Sequence, residues 1–283
     1  MGIRFRAEST LRDAPPDTDR PPGSDHDRFP VLSADISAIT LDDAVSLILA
    51  WVSRRARRYV NVCTSDTVVQ AYRDPALADI LNQSGLATPD GMPLVWLGKM
   101  QRRRVSRVYG PDLMWALCDR GQASEIRHFF YGTTEATLHA LTNTLSRRFG
   151  KIRIAGVYAP PFRPLSCEEK AQVASLINRA CPDIVWVGLG TPKQDFWVAH
   201  FRTMLEAPVL IAVGAAFDFH SGGVRQAPRW MMKCGLEWFY RLCREPRRLW
   251  RRYLVGNVVF LALILRQWLL GTPRPFRRQT RDR

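Results

Sequence analysis

A carboxylate stands directly after a short apolar run, in Pro89-Asp90-Gly91 following Leu86 to Thr88. Proline and glycine on either side of an aspartate are typical of a tight turn, which is the simpler structural interpretation. An aspartate at the end of a strand is also suited to take a proton from an attacking hydroxyl group, a role worth ~10²–10⁴-fold in rate. The pattern therefore predicts Asp90 as a candidate general base, with Gly91 beside it.

Glycines at a second strand end have the spacing of a phosphate-binding loop. Gly188-Leu-Gly190 follows an apolar run and leads through Thr191 and Pro192 into a helical stretch that begins near Lys193. Free backbone amides at the start of a helix favour an anion such as a diphosphate. Lys193 occupies the position of the third glycine of a dinucleotide fingerprint, so binding of NAD is disfavoured. A tight turn that merely requires glycine is the alternative.

A third polar group comprises Asn61, Thr64 and Asp66, and it follows the apolar run from Tyr59 to Val62. In an open parallel sheet the ligand lies beyond the carboxyl ends of the strands, so polar residues directly after strands are the first candidates for a site. We therefore expect the three polar groups to meet at one edge of a sheet.

Potential metal ligands are few in the sequence. His220 closely follows Asp218, which suggests a metal site, but no second group of ligands with suitable spacing accompanies them. The two Asp-x-Asp pairs of the chain fall within its first 28 residues, which are predicted to be disordered. The sequence therefore predicts neither a metal nor a cofactor.

Short β-rich runs alternate with helical stretches from Val31 onward. This alternation predicts an α/β fold with a mostly parallel, Rossmann-like sheet and helices on both faces. The predicted strands are Tyr59 to Val62, His128 to Tyr131, Ile152 to Val157, Ile184 to Leu189 and Val209 to Val213. The predicted helices are Leu41 to Arg54, Pro75 to Ser84, Pro111 to Arg120, Thr134 to Arg147, Cys167 to Ala180 and Lys193 to Met204.

Length and composition favour one large domain with an appendage, because 283 residues that are 46% hydrophobic can bury a sizeable core. Residues 1–28 are rich in Pro, Asp and Arg and are predicted to be a disordered arm. Residues 29–222 are the predicted α/β domain, and residues 223–283 a helical, basic C-terminal appendage. The segment from Arg225 to Arg283 contains fifteen Lys and Arg residues and only three acidic residues. Most of the formal charge of +15 therefore lies in this segment.

The cysteines and the apolar runs of the sequence indicate in which cellular compartment the protein is expected. The six cysteines include no CxxC pair, so reduced thiols in the cytoplasm are the simpler interpretation. Many Pro and Asp residues interrupt the start of the chain, so a secretory signal is not expected. The run from Leu254 to Leu265 is shorter than the ~20 residues that span a bilayer. Basic and apolar residues together predict contact with an anionic membrane surface.

Several motifs in one order, from about Val31 to Arg252, resemble those of the WecG/TagA/CpsF glycosyltransferase family. The motifs are Thr88-Pro89-Asp90-Gly91, Arg107-Val-Tyr-Gly110-Pro-Asp112-Leu113, Phe130-Tyr-Gly132, Gly156-Val-Tyr-Ala-Pro-Pro-Phe162, Val187-Gly-Leu-Gly-Thr-Pro-Lys-Gln194-Asp195, Val213-Gly-Ala-Ala-Phe-Asp218 and Leu236-Glu237-Trp238-Phe-Tyr-Arg241-Leu-Cys-Arg-Glu245-Pro246-Arg-Arg248. Each motif is short, but their joint order and spacing are highly specific. Within the family, Pro89 to Trp96 and the long arm are most similar to GumM-like exopolysaccharide enzymes.

The resemblance implies an inverting transfer, without a bound metal, from a UDP-sugar to a polyprenyl-diphosphate-linked glycan. It implies that Asp90 is the base and that Gln194 contacts the donor or the acceptor sugar. Many members carry Thr-x-Asn after the first strand, whereas this chain offers either Asn61 or Thr64 to hold the sugar. Asp195 replaces the more usual Glu. The substrate-binding candidates are Asn61, Thr64, Gly91, Gly188, Gly190 and Gln194.

The same resemblance implies a basic lid over the site, with Arg241, Arg248 and Arg251 as catalytic residues. On one continuous helix Arg248 and Arg251 would lie about 20° and 80° from Arg241, so all three would share a face. Pro246 lies between them, and its fixed φ also suits the start of a second helix, so a break there is the alternative.

The main alternative from another class is a basic nucleic-acid-binding protein, since Arg on phosphates and Trp on bases suit single strands. It leaves Asp90 and Gln194 without a purpose, so nucleic acid is not an expected partner. The expected partners are a UDP-sugar donor, a lipid-linked sugar acceptor and the anionic inner face of the bacterial cytoplasmic membrane, to which the enzyme binds peripherally. The sequence does not identify the transferred sugar, the acceptor glycan or the oligomeric state. A homo-oligomer is one of the possible states.

Overall fold

The computed structural model describes residues 26–250 and 254–270. Residues 1–25 of the predicted arm, and residues 251–253 and 271–283 of the predicted appendage, lie outside the described residues. The strands are β1 Arg28–Val31, β2 Ala34–Ser37, β3 Arg58–Cys63, β4 Leu86–Pro89, β5 Arg127–Gly132, β6 Arg153–Tyr158, β7 Ile184–Gly188 and β8 Val209–Ala212.

Thirteen α-helices alternate with these strands or follow them in the described part of the chain. They are α1 Leu41–Ser53, α2 Ser65–Arg73, α3 Pro75–Gln83, α4 Met92–Met100, α5 Gly110–Arg120, α6 Glu135–Arg148, α7 Cys167–Arg179, α8 Lys193–Phe201, α9 Ala216–His220, α10 Arg229–Lys233, α11 Glu237–Arg244, α12 Pro246–Trp250 and α13 Gly256–Leu270. All six helices predicted from the sequence are present, with ends that differ by a few residues at most.

Six strands form one parallel sheet in the order β4-β3-β8-β7-β5-β6. Alternate residues of β7 belong to two different apolar cores, because successive side chains of a strand point to opposite faces. Ile184 and Trp186 pack with α1, α5 and α6 on one face. Val185 and Val187 pack with α7 and α8 on the other. The predicted α/β fold with helices on both faces is therefore confirmed.

Helices α2 and α4 were not predicted, although both begin at recognisable signals. Thr64 caps α2 in a reciprocal pair of hydrogen bonds with Thr67. Helix α4 follows Gly91 and carries Pro93 in its first turn. Proline is tolerated there because its missing N–H has no partner within the helix in any case. Pro89 thus ends β4 and Gly91 immediately precedes α4, so this segment joins a strand to a helix.

The described N-terminal residues form an antiparallel hairpin of β1 and β2, which the sequence did not predict. Arg28, the last residue of the predicted arm, is the first residue of β1. Its guanidinium donates hydrogen bonds at 3.3 Å to the carbonyl oxygens of Leu81 and Asn82, at the end of α3. These bonds join the hairpin to the main domain.

The connections from β5 and β7 leave in opposite directions, since β5 leads to the outer strand β6 and β7 leads to β8 on the other side. Such a topological switch point leaves a crevice beyond the carboxyl ends of the two strands. Gly132 and Gly188 are paired at these two ends. A Cβ on Gly132 would collide with the carbonyl oxygen of Gly188. The close approach of the two strand ends therefore requires glycine at position 132.

Helices α9 to α13 follow the last strand. Helix α13 returns to the N-terminal half, where Phe260 and Ile264 join the core that includes α2 and α4. The amide of Leu32 donates a hydrogen bond to Gln267 Oε1 at 3.0 Å. Within residues 26–250 and 254–270, the helices are all too short or too polar to cross a membrane.

Candidate active site

A cavity of about 1270 Å³ opens at the carboxyl ends of the parallel strands. It is larger than the about 300–1,000 Å³ usual for a small-molecule pocket, so it can hold two substrates side by side. Thr64 after β3, Asp90 after β4 and the segment Gly188 to Gln194 after β7 all line it. The structure thus brings together the three polar groups that follow strand ends in the sequence.

Asp90 lies immediately after β4, and its amide donates a hydrogen bond to the carbonyl oxygen of Cys63 at the end of β3. This bond fixes the backbone at the sheet edge. The side chain is only 13% exposed, and its Oδ1 lies 2.9 Å from Nη2 of Arg107. The backbone amide of Gly110 also donates to the carboxyl group. Asp90 is therefore a preorganised carboxylate in the cavity wall rather than only a turn residue.

Arg107 joins this carboxylate to the C-terminal helices. The same Nη2 lies 2.6 Å from Oε2 of Glu237, at the start of α11. Tyr109 donates its hydroxyl to Oε1 of Glu237 at 3.0 Å. The guanidinium of Arg107 lies over the ring of Tyr109, 4.1 Å from its centroid. One arginine thus couples Asp90 on the sheet to the helix that carries Arg241.

Burial raises the pKa of Asp90 to about 6, because the charged form loses water. Arg107 acts in the opposite direction, and the nearby charge of Glu237 adds to the increase. The net effect makes Asp90 a stronger base than an exposed aspartate while leaving it mostly ionised at neutral pH. A carboxylate of this kind is suited to accept a proton from a hydroxyl group.

The glycine loop after β7 forms the opposite side of the cavity. A Cβ on Gly188 would lie 2.7 Å from the ring of Phe217, so the loop packs closely there. Gly190 has φ +77° and no atom within 4 Å of where its Cβ would stand. Its left-handed backbone therefore faces open space just before α8, where amide groups and the helix dipole favour an anion.

Gln194 fixes this loop to a second one. Its Oε1 accepts hydrogen bonds from the amides of Gly190 at 3.1 Å and Gly214 at 2.9 Å. The residue lines the cavity but is only 1% exposed. The carbonyl oxygen of Gln194 is thus committed to shaping the loops after β7 and β8. Only its amide nitrogen is left for the sugar contact that the resemblance implies.

The sequence left Asn61 and Thr64 as alternatives, and the structure places them differently. Asn61 is fully buried, and its Nδ2 donates to Oδ1 of Asp195 at 2.7 Å. Burial raises the pKa of Asp195 to about 6. Thr64 lines the cavity together with Gly91. Asn61 therefore lies beneath the cavity wall, joining β3 to α8, whereas Thr64 and Gly91 lie at its surface.

The three arginines of the predicted lid do not lie on one continuous helix. Helix α11 ends at Arg244 and α12 begins at Pro246, so the break suggested by that proline is present. Arg241 lines the cavity, with its guanidinium 5.4 Å from the ring centroid of Phe219. Arg248 belongs to α12, but its side chain lies outside the described structure, as does all of Arg251.

A model of the glycosyl transferase WecG/TagA/CpsF family matches residues 29–274. The chain belongs to this family. It is similar to an N-acetylglucosaminyldiphosphoundecaprenol N-acetyl-beta-D-mannosaminyltransferase of Bacillus subtilis, with 31% identity over 205 residues, 72% of this chain and 78% of that enzyme. Enzymes of the same name from Bacillus spizizenii and Staphylococcus aureus also match. The first is 33% identical over 65% of this chain and 70% of its own length. The second is 23% identical over 78% and 86%.

The family membership confirms the resemblance read from the motifs and makes this protein a glycosyltransferase. In the described part of the transferase, His, Cys, Asp and Glu residues form no group of three or more that could hold a metal ion. His220 stacks on Trp115 with 4.2 Å between ring centroids. Its Nε2 lies 2.9 Å from the carbonyl oxygen of Pro111. Packing between α9 and α5 accounts for this histidine.

Sequence reasoning did not assign a role in the site of this glycosyltransferase to Arg107, Tyr109 or Glu237. Arg107 and Tyr109 stand two residues apart, a spacing that places both on one side of an extended segment. This spacing, together with the nearby Gly110 and Asp112, is a sequence signal from which Arg107 and Tyr109 could have been predicted as site residues. Glu237 lies 130 residues from Arg107, so its contribution depends on how α11 packs on the sheet.

Proposed function

We propose that this protein moves a sugar from a UDP-sugar to a glycan linked to polyprenyl diphosphate, by an inverting and metal-independent reaction. The observation that carries the proposal is the buried cluster of Asp90, Arg107 and Glu237 in a cavity with room for both substrates. It supplies an oriented base at one strand end. The glycine loop at another strand end supplies a place for a diphosphate.

The names of the relatives support the proposed acceptor. Those enzymes carry N-acetylglucosaminyldiphosphoundecaprenol and N-acetyl-beta-D-mannosaminyl in their names. For this chain we propose an acceptor of the same class, a sugar on polyprenyl diphosphate. The similarity of Pro89 to Trp96 to GumM-like enzymes favours synthesis of exopolysaccharide or another cell-surface polysaccharide.

The crevice between β5 and β7 is the proposed position of the donor diphosphate. Gly188 and Gly190 lie beside it, and α8 begins two residues after Thr191. Strand β4, which Asp90 directly follows, is three strands from β7. That separation is about 14 Å. An extended nucleotide sugar bound at the crevice can therefore direct its sugar toward Asp90.

In the proposed reaction, Asp90 accepts the proton of the acceptor hydroxyl as that oxygen attacks the anomeric carbon of the donor sugar. The new bond forms on the face opposite the breaking bond, so the configuration inverts and UDP leaves with the bonding electron pair. Arg241 neutralises the charge that grows on the departing diphosphate. Arg107 is already paired with two carboxylates, so its role is to position Asp90.

The experiment for this proposal incubates the full chain with a panel of UDP-sugars, a short-chain lipid-diphosphate sugar and EDTA. We expect one donor to yield UDP and a product heavier by one sugar in the mass spectrum, with the anomeric configuration of the new bond opposite to that of the donor. Chelator should leave the rate unchanged, because arginines supply the positive charge. Failure of every donor would contradict the transfer, and rescue of a chelated enzyme by Mg²⁺ or Mn²⁺ would contradict metal independence.

The C-terminal helices support a further part of the proposal, contact with an anionic membrane. Leu265 and Trp268 of α13 are 57% and 58% exposed. Arg247 and Arg266 are exposed as well, and each basic residue near an anionic leaflet contributes ~1 kcal/mol. We propose residues 223–283 as a lid and membrane-binding appendage. It would keep the enzyme cytoplasmic and peripheral on the inner face of the membrane, where its lipid-linked acceptor lies.

Two substitutions that place negative charges on the exposed face of α13 test the membrane contact. The variant combining Leu265→Glu and Leu269→Glu is expected to lose sedimentation with anionic vesicles, because it repels the lipid and removes apolar area. The matched control combines Asn143→Glu and Ser146→Glu on the exposed side of α6, with the same change of net charge. Equal loss in both variants would mean that net charge, not α13, governs binding. Retained binding of the α13 variant would contradict the proposed surface.

A further inference from the structure

Two buried carboxyl groups lie near the strand ends, and they have different partners. Asp90 is paired with the cation of Arg107. Asp195, in the first turn of α8, is fully buried and is held by an amide, because Asn61 donates from Nδ2 to its Oδ1 at 2.7 Å. Asn61 and Asp195 are not among the residues that line the cavity. The proposed reaction uses Asp90 and gives no reason for a second buried carboxyl group.

Each partner of the Asn61–Asp195 pair has one oxygen atom without a hydrogen bond. Among the described residues, Oδ1 of Asn61 and Oδ2 of Asp195 are both buried and have no partner. Both oxygens are acceptors when the carboxyl group is ionised, so neither can bind the other. Buried polar atoms in this state are rare in native proteins. One proton on Oδ2 of Asp195 would serve both atoms, because the protonated group donates to the amide oxygen while its Oδ1 still accepts from Nδ2.

The surroundings of Asp195 favour this proton. Burial raises the pKa of Asp195 to about 6, because the charged form loses water. The groups that act in the opposite direction are the hydrogen-bond donors Asn61, Thr191 and the amide of Asp195 itself, with no cation among them. Asp195 therefore lacks the charged partner that Asp90 has in Arg107.

The elements packed around Asp195 carry few titratable residues in the described structure. Strands β7 and β8 carry none. On β3, burial raises the pKa of Tyr59 to about 12 and raises that of Cys63 as well, so both stay neutral. The other titratable residues of β3, α3 and α8 are Arg58 at the far end of its strand and the exposed Asp79, Lys193 and His200. The charge state of Asp195 thus depends mainly on burial and on its pairing with Asn61.

Asp195 adjoins the proposed position of the donor diphosphate. It directly follows Gln194, whose Oε1 holds the amides of Gly190 and Gly214. An ionised carboxylate in the first turn of a helix interacts with the positive end of the helix dipole. A diphosphate at the start of the same helix uses that positive end too. The two negative charges therefore compete, and a bound diphosphate favours the neutral form of Asp195.

We propose that Asn61 and Asp195 are a proton-holding pair that positions the start of α8 for the donor. When the diphosphate binds, Asp195 takes a proton from the solvent and donates it from Oδ2 to Oδ1 of Asn61. The pair then holds α8 against β3 through two hydrogen bonds and places no negative charge beside the donor. Both are positioning residues. The inference rests on the proposed function in that the donor carries a diphosphate, and it adds a proton to the donor-binding step.

Thermal melting of the full chain without ligand tests the pair by itself. Asp195→Asn mimics the protonated form, because two amides can close both hydrogen bonds. The pKa of Asp195 is raised from 3.8 to about 6, so the stability that the protonated form contributes is complete below pH 3.8 and is lost as pH rises to about 6. We therefore expect Asp195→Asn to raise the melting temperature by several degrees at pH 7.5 and by less at pH 4.5.

Asp79→Asn is the matched control, since Asp79 is exposed on α3. It should leave the melting temperature unchanged at both pH values. An unchanged or lower melting temperature of Asp195→Asn at pH 7.5 would show that the ionised carboxylate is tolerated or preferred, and would overturn the proton-holding pair. An increase of the same size at both pH values would overturn it as well.

UDP-glucose tests the link to the donor, because its phosphate groups do not titrate near neutral pH. Its dissociation constant is measured by calorimetry with the full chain at pH 5.5 and pH 7.5. We expect binding to be several-fold weaker at pH 7.5 in the unsubstituted protein. Asp90→Asn should keep this difference, since Asp90 lies at another strand end. Asp195→Asn should bind with nearly equal affinity at the two pH values.

A pH difference that persists in Asp195→Asn, or an unsubstituted protein without one, would overturn the link between the proton and the donor. Absence of UDP-glucose and other UDP-sugar binding at both pH values would contradict the donor of the proposed function, and with it the donor-binding step. The melting temperatures would still decide whether Asn61 and Asp195 hold a proton.

Discussion

Asp90→Asn is expected to lower turnover by ~10²-fold or more, because it removes the oxygen that accepts the proton while keeping the size of the side chain. Asn can still accept a hydrogen bond from Arg107, which lies 2.9 Å from Oδ1 in the native site. The KM for the donor should change little, since the proposed diphosphate position lies at another strand end. Initial rates with the lipid-linked acceptor measure the effect.

The fold of this variant is expected to persist. Burial raises the pKa of Asp90 from its ordinary 3.8 to about 6. The folded state therefore loses stability as pH rises through this range and the carboxylate becomes charged. Removing that charge should leave the melting temperature at pH 7.5 unchanged or higher. Near-normal turnover in a folded Asp90→Asn protein would exclude Asp90 as the base, and a lower melting temperature would contradict the burial argument.

Arg241→Ala is expected to lower turnover by ~10²-fold, the size of effect seen when one preorganised charge-stabilising group is removed. The guanidinium lines the cavity beside Phe219, and among the described residues its buried Nε has no hydrogen-bond partner. These features suit a contact with the departing diphosphate. The loss should occur with a soluble acceptor as well as with a vesicle-bound one, since it concerns the chemical step.

Arg244→Ala is the control for this effect. Arg244 lies on the same helix but is exposed and donates to the hydroxyl of Tyr240 at 3.3 Å. Its substitution should leave turnover with the soluble acceptor close to normal. Arg248→Ala and Arg251→Ala extend the test to the rest of the proposed lid. If Arg241, Arg248 and Arg251 can each be replaced with normal turnover and only vesicle binding weakens, they are membrane contacts and the lid proposal is wrong.

The sheet could be predicted from the sequence because its central strands are unusual. Four consecutive apolar residues from Ile184 and four from Val209 need cover on both faces, which only helices on each side of a parallel sheet provide. The hairpin of β1 and β2 was missed because neither strand is a continuous apolar run: Pro30 interrupts β1, and β2 carries Asp35 and Ser37. Helix α4 was missed because Pro93 interrupts the pattern that indicates a helix.

Apart from the residues that the family resemblance supplied, the candidate site was predictable only where a residue closely follows a strand. Asp90 and Gly190 meet that condition, and topology alone brings them to one edge of the sheet. Glu237 does not, because its contact with Arg107 depends on the packing of α11. Position near a strand end is also not sufficient. Asn61 lies near the end of β3, but it points away from the cavity and pairs with the buried carboxyl group of Asp195. The alternation of side chains along β3 decides between these outcomes.

The pH dependence of kcat/KM for sugar transfer is the decisive measurement for Asp90 as the base of this glycosyltransferase. The base must be ionised, and its pKa is raised to about 6. We therefore expect kcat/KM to be constant above about pH 7 and to fall toward tenfold per pH unit below about pH 6. The residual activity of Asp90→Asn should lack this acid limb. A profile that stays flat to pH 5, or an acid limb that persists in Asp90→Asn, would contradict the assignment.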